Sequence, residues 1–443
     1  MDVFTNEDLH NLRKQVEGVL TRNEVDFKDT YYHMPSRDFY PSLFAWDSGY
    51  HAVAMLHIDP RKAQRELETL FAHVAPDGHL PHETLVPCEA TSRSPFKNFT
   101  RWLVQWEYDS ERRSHLVDPP SYVYAAELVY EWTRDHGWLK RIWPDLSRSL
   151  DYLLDSRDLF GDGLVSIVHP WEAGTDLSPQ LMPALGIDPS RRSHWMKAVS
   201  AGPLLYHYCT RLGWDIDAIK EANRFVVEDL TMNCLVVRAL RSAALLGEAV
   251  EDHRAASRYR SRARLMSEAI DEVLWDETEG CYYPRWDLKN PKLAKVKTAQ
   301  SLLPLFAGYC RPERCERLVR EHLKNPRRFW GRHLLPFNPA DELAGSAPWV
   351  ERCLWSGHCI WINFNWLVAV GLGDCGFIEE ACQITNRTAR MVLAEGLWEF
   401  YDSRTGEGKR AREFNWPALV LDMLDRFGST GRAERIGAGG GCR

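Results

Sequence analysis

Apolar side chains return every three to four positions along most of the chain, the spacing of helices that bury one face. Tyr122, Ala125, Ala126, Leu128, Val129 and Trp132 form such a stripe over 122–134, and a second helix is predicted over 138–154 after a break at His136-Gly137. The pairing repeats downstream. An apolar helix over 230–246 is followed by an amphipathic one over 252–275 whose outer face is basic. Then 295–307 precedes 312–324, 361–372 precedes 377–395, and 417–427 closes the series. Helices arriving in pairs across short turns, with longer loops between pairs, predict stacked helical hairpins. Strand signals are confined to 164–168 and 281–286, each beside a loop.

Hairpins of this kind can close into a double ring of inner and outer helices with a pocket at one end. An open solenoid is the alternative, and it would carry a stricter repeat length than this chain shows. No internal stretch has the composition of a linker. The expectation is one all-α domain over residues 1–428, with the glycine-rich 429–443 as a disordered tail.

Composition narrows the function classes. Of 443 residues, 44% are hydrophobic and 26% charged, an ordinary globular balance that excludes a mostly disordered chain. The 55 basic and 62 acidic side chains leave a net charge of −7, which argues against nucleic acid as a partner. No run of about 18 apolar residues occurs, so a membrane-spanning helix is not expected. The polar, acidic start lacks the apolar stretch of a secretion signal, so a cytoplasmic location is expected. Eleven cysteines show no Cys-x-x-Cys pair and read as reduced thiols, with no metal site called for. The 18 tryptophans suit either a large helical core or a pocket that stacks on sugar rings.

Four loops combine aromatics with acids. In Tyr40-Pro41-Ser42-Leu43-Phe44-Ala45-Trp46-Asp47, Asp47 can cap a helix or accept bonds from sugar hydroxyls beside Trp46. In His169-Pro170-Trp171-Glu172-Ala173-Gly174-Thr175-Asp176, Asp176 is either a cap or a carboxylic acid kept protonated by a Trp-lined pocket. Glu399 sits among aromatics at 397–402, with Glu395, Glu407 and Glu413 as rival bases that spacing does not separate. Trp355, Trp361, Asn363, Asn365 and Trp366 form core packing or a further pocket wall. Two carboxylates distant in sequence, each in an aromatic loop on one scaffold, are what glycoside hydrolysis requires.

In that order, Trp46-Asp47, Gly174-Thr175-Asp176, Trp361…Asn365-Trp366 and Glu399-Phe400-Tyr401-Asp402…Thr405-Gly406-Glu407-Gly408 resemble glycoside hydrolase family 63. The likeness runs from about residue 31 to residue 427 and points to the small bacterial mannosylglycerate and glucosylglycerate hydrolases; the trehalase clan is a more distant likeness. The resemblance implies an (α/α)6 barrel, inversion at an α-linked sugar, and no catalytic metal or cofactor. It implies Asp176 as general acid and Glu399 as general base. Trp46, Asp47 and Trp355 would bind the sugar, with Tyr40, Asp118, Trp171, Glu413 and Trp416 as further substrate contacts.

Three positions depart from the family pattern. Leu354-Trp355-Ser356-Gly357-His358 stands where relatives carry Tyr-Trp-Arg-Gly-Pro, and Asp118 and Glu413 stand where relatives place Gln. The lost Arg and the added acids argue against a glycerate substrate and suggest a cationic or amino sugar. Two other readings stay open: a sugar isomerase or epimerase using His33, His51, His169 or His358, and a non-catalytic sugar-binding protein. A homo-oligomer is compatible with the sequence, and the loop 96–115 is a candidate to close over substrate.

Overall fold

The computed structural model describes residues 4–86 and 103–428; the C-terminal tail and residues 96–102 of the proposed closing loop lie outside them. In chain order the helices are α1 (Asn6–Asn23), α2 (Ala45–Leu56), α3 (Pro60–Phe71), α4 (Ser121–Thr133), α5 (His136–Ser156), α6 (Trp195–Arg211) and α7 (Ile216–Ala222). They continue as α8 (Leu230–Ala249), α9 (His253–Val273), α10 (Pro304–Ala307), α11 (Pro312–Arg317), α12 (Ile362–Asp374), α13 (Ile378–Glu395) and α14 (Val420–Phe427).

Contacts close these helices into a ring. α2 packs on α4, α4 on α8, α8 on α10 and α10 on α12; α12 and α2 both pack on Trp416–Leu419, the turn that leads into α14. An outer layer of α3, α5, α9, α11, α13 and α1 surrounds it, giving an (α/α)6 barrel. The division follows side-chain chemistry. α2 is buried at every position and α12 from Ile362 to Leu372, so both lie wholly inside the ring. α9 buries Ala255, Ala256, Tyr259, Ala263, Met266 and Ile270 along one stripe and turns its arginines to water. α8 is long and apolar enough to cross a bilayer, yet 89% of its apolar window is buried inside the ring.

Outer helices start on capping carboxylates: Asp59 for α3, Asp135 for α5 and Asp252 for α9. Each satisfies backbone N–H groups that the first turn leaves free, worth ~1 kcal/mol per cap. Where α2 crosses α4, Gly49 lets the helices meet, because a Cβ there would lie 2.6 Å from the Tyr122 backbone nitrogen.

The predicted hairpins recur with shifted ends. The segment predicted as one helix over 295–307 is instead a 3-10 turn, Ala299–Leu302, and the single turn of α10. Thr298 caps the first, while Pro304 starts the second and Gly308 ends it at φ +77°. The helix predicted over 312–324 widens after α11 into a π turn, Leu318–Leu323. The expected strand at 164–168 is reduced to one bridge, Ile167 with Val227. Asp47 is no helix cap; it is the third residue of α2, whose cap position is Phe44.

Candidate active site

The start of α2, the residue before α12, Asp118 ahead of α4 and Trp416 ahead of α14 meet at one end of the ring. The strand Leu43–Phe44 pairs with Glu83–Thr84, setting His82 against the start of α2. The strand Trp398–Asp402 pairs with Cys359–Ile360 on one side and Gly408–Arg412 on the other. A cavity of about 190 Å³ opens among them. That is below the roughly 300–1,000 Å³ of drug-sized sites and fits a compact ligand.

Both expected catalytic acids, Asp176 and Glu399, line this cavity, as do Tyr40, Trp46, Asp47 and Asp118. Trp171, Trp355 and Trp416 complete the aromatic walls. Trp355 stacks on Trp361 with ring centres 3.7 Å apart and planes 12° from parallel, and Trp46 meets Trp416 edge to face at 5.7 Å. Such walls offer apolar ring faces and edges to a sugar.

Glu399 is placed by a β-bulge. Trp398 pairs with Arg412 but Phe400 with Lys409, so Arg410 and Ala411 together oppose the single residue Glu399. Ala411 N–H donates to Glu399 Oε2 at 3.2 Å, and Arg410 Nε lies 3.3 Å from the same oxygen. Tyr40 Oη donates to Oε1 at 2.7 Å. Burial raises the pKa of this carboxyl, while the Arg410 charge, Tyr40 and the Ala411 amide oppose the rise. The net result is a carboxylate more basic than one in water.

The Asp176 loop is braced from behind. His169 accepts from Trp171 N–H through Nδ1 and donates through Nε2 to Gly202 O. Burial lowers its pKa to about 3, so it stays neutral. Glu172, fully buried, takes both nitrogens of Arg157 at 2.9 and 3.1 Å and accepts Val168 N–H at 2.7 Å. Glu172 is therefore an internal brace. Gly174 then turns the chain at φ +67° against the Trp46 indole and delivers Asp176 to the cavity. Beyond it, Leu177 O accepts from Ser356 Oγ and Ser178 Oγ donates to Gln300.

The other two acids are tied to tryptophans. Asp47 accepts from Trp416 Nε1 at 2.7 Å, and Asp118 accepts from Trp46 N–H at 3.1 Å. Burial, reinforced by the charges of Asp47, Asp176 and Glu172, pushes the Asp118 pKa well above the usual carboxylate range. The Trp46 N–H opposes this rise, but burial wins and Asp118 holds its proton more tightly than a carboxyl in water.

Glu413 corrects the expectation. The chain passes it at φ +58°, and its carboxylate turns to the surface, 43% exposed, to pair with Arg22 of α1 at 2.7 Å. Its neighbours Phe414 and Trp416 face the cavity instead. Of the rival bases, Glu407 pairs with Lys409 on the surface and Glu395 is exposed at the end of α13, so of the four only Glu399 lines the cavity. Asn365 is structural, bonding Leu334, Leu335 and Thr388.

His33, His51, His169 and His358 do not line the cavity; His82, missed in the sequence, does. Arg410 was also missed, although the tight Thr405–Gly408 turn implied that the returning strand would run beside Glu399. His33, His51 and Glu66 have metal-ligand chemistry and lie close together. However, His33 Nδ1 is 2.7 Å from Glu66 Oε2, a direct hydrogen bond between two of them.

A helical double ring whose aromatic cavity is lined by carboxylates from separate segments, Asp176 and Glu399 among them, defines the class: a glycoside hydrolase of the (α/α)6 type. The chain belongs to the mannosylglycerate hydrolase MGH1-like glycoside hydrolase domain family, whose profile matches residues 40–417. It is 30% identical over 414 residues to the mannosylglycerate hydrolase of Thermus thermophilus, covering 87% of this chain and 95% of that one. The Rubrobacter radiotolerans mannosylglycerate hydrolase is 28% identical over 420 residues, covering 89% and 93%. The crystal structure of a GH63 mannosylglycerate hydrolase from Thermus thermophilus with Tris and D-glycerate matches with a TM-score of 0.78 at 27% identity. That match covers 93% of this chain and 99% of that one.

Proposed function

We propose that this glycoside hydrolase cleaves a small α-linked glycosylglycerate with inversion, Asp176 protonating the leaving oxygen and Glu399 activating the attacking water. The observation that carries the reading is that both carboxylates, 223 positions apart, open onto one tryptophan-walled cavity. In the mechanism, Glu399 accepts the water's proton while Tyr40, Ala411 and Arg410 hold its oxygens. Asp176, on its braced loop, gives its proton to the departing glycerate oxygen. Asp118 as a neutral donor and Asp47 as an acceptor bind hydroxyls of the glycone between Trp46, Trp355 and Trp416.

Glu413 faces the surface and burial favours the protonated form of Asp118, which weakens the case for a cationic sugar. Glycerate substrates are favoured instead, in keeping with the names of the relatives. We also place the protein in the cytoplasm as a single catalytic domain over residues 1–428. The described cysteines are all free thiols, which suits a reducing compartment.

The test is a panel of α-glucosylglycerate, α-mannosylglycerate, plain α-glucosides and amino-sugar glycosides, assayed for released sugar with wild type, Asp176→Asn and Glu399→Gln. Glycerate conjugates should be cleaved best, and both variants should lose about 10²–10⁴-fold in turnover while staying folded. Near-native rates in either variant would remove it from the reaction. Preference for amino-sugar glycosides would overturn the substrate class.

A further inference from the structure

The hydrolytic base is held by a residue whose backbone conformation calls for a reason. Arg410 lies in the left-handed region at φ +66°. Glycine enters that region freely, whereas a side chain with a Cβ is strained there. The bulge opposite Glu399 imposes this conformation, and with it the Arg410 side chain reaches the cavity. Backbone strain of this kind gathers at functional sites when the surroundings hold it in place.

We infer that Arg410 is a positioning residue for the hydrolytic base, fixing one oxygen of the Glu399 carboxylate and supplying the positive charge beside it. The inference rests on the reading of Glu399 as the base. Three observations meet here. Arg410 Nε sits 3.3 Å from Glu399 Oε2, on the oxygen that also takes the Ala411 amide. Glu399 is 2% exposed, so water offers its charge little support. Among the described residues that line the cavity, Arg410 is the sole arginine or lysine.

The other groups around the base do not replace it. Tyr40 is an O–H donor without charge, its phenol held protonated by burial and by Glu399 itself. Across the cavity stand Asp176, Asp47 and Asp118, together with His82. Burial disfavours a negative charge on Glu399, and Arg410, Tyr40 and the Ala411 amide are the groups that oppose it. Without Arg410 the carboxylate would keep two neutral donors in a dry, acidic pocket, and protonation would be favoured. A protonated Glu399 cannot take the water's proton. The loss therefore falls on kcat, and hardest on the acidic side of the pH profile.

Arg410→Gly is the informative variant, because glycine suits φ +66° and the backbone is spared. It should fold and keep its KM, yet lose about tenfold or more in kcat at neutral pH, with the acidic limb of kcat moved to higher pH. Arg410→Lys should recover much of the rate. The side chain is 34% exposed, so guanidinium ion added to Arg410→Gly should reach the vacated place and restore part of the activity.

Wild-type kcat with an unmoved acidic limb in Arg410→Gly would overturn the inference. So would a loss expressed only in KM, which would make Arg410 a substrate contact. Arg410→Met, of similar length and uncharged, repeats the comparison should the glycine variant fold poorly. An active Glu399→Gln would instead defeat the assignment of the base. An inactive Glu399→Gln beside a fully normal Arg410→Gly would defeat this inference alone.

Discussion

Replacing Gly174 by alanine adds one methyl group two residues before Asp176 and leaves every carboxylate in the cavity unchanged. Two penalties follow from the geometry. At φ +67° an alanine sits in the left-handed region, which costs about 1–2 kcal/mol. Its Cβ would also lie 3.0 Å from the Trp46 indole, an overpacked contact of about 1–3 kcal/mol. Relief comes most easily if the loop withdraws from Trp46, carrying Asp176 with it. A displacement of about 1 Å at a catalytic group can cost ~10²-fold in rate.

Gly213 supplies the control. It has nearly the same conformation, φ +65°, and a methyl group added there would meet nothing within 4 Å. Gly213→Ala should therefore lose only the conformational 1–2 kcal/mol or so and keep full activity. Thermal unfolding and steady-state hydrolysis of the two variants, measured side by side, separate strain from displacement. Gly174→Ala should be the less stable and about 10²-fold slower in kcat, with a smaller change in KM. Equal, unimpaired turnover in both variants would refute the claim that the Trp46 contact sets the position of the acid.

Two further perturbations probe the acids that are not assigned to proton transfer. Arg157→Met leaves Glu172 buried without its partner, which should destabilise the fold by about 3–5 kcal/mol and loosen the acid loop; a melting temperature equal to wild type would exclude Glu172 as a brace. For Asp118 the sign is set by its raised pKa: the folded state holds the proton more tightly than the unfolded one. Its stabilising contribution is thus complete below the unfolded carboxylate pKa and falls as pH rises toward the folded value. Asp118→Asn, which cannot ionise, should gain stability relative to wild type as pH rises, read from paired melting curves; a difference independent of pH would contradict a neutral Asp118.

The hairpin rhythm of the fold was legible because inner and outer helices differ in how much of their circumference is apolar. α9 shows this, its arginines and its alanine–methionine stripe separating cleanly along the segment. Where local chemistry interrupts that rhythm, the reading slipped: Pro304 and Gly308 broke a predicted helix into turns. At the site, the aromatic neighbours of Asp176 and Glu399 were visible, and both acids line the cavity. Glu413 had the same credentials in sequence, flanked by Phe414 and close to Trp416. Its fate hinged on a backbone torsion and on Arg22, which lies 391 positions away. Arg410 was hidden for a related reason. Simple alternation along a hairpin does not reveal that two residues face one, and only the bulge turns that arginine toward Glu399. The bracing role of Glu172 was not legible, because its partner Arg157 lies 15 positions upstream, beyond the end of α5.

The most direct measurement is the configuration of the first sugar released. Proton NMR of a fresh digest of an α-glycosylglycerate, recorded before mutarotation, distinguishes the anomers. Water delivered by Glu399 to the face opposite the leaving group predicts the β-anomer first, with the α-anomer growing in later. An α-anomer appearing first would mean that the configuration is retained, and the roles of Asp176 as acid and Glu399 as base toward water would be contradicted.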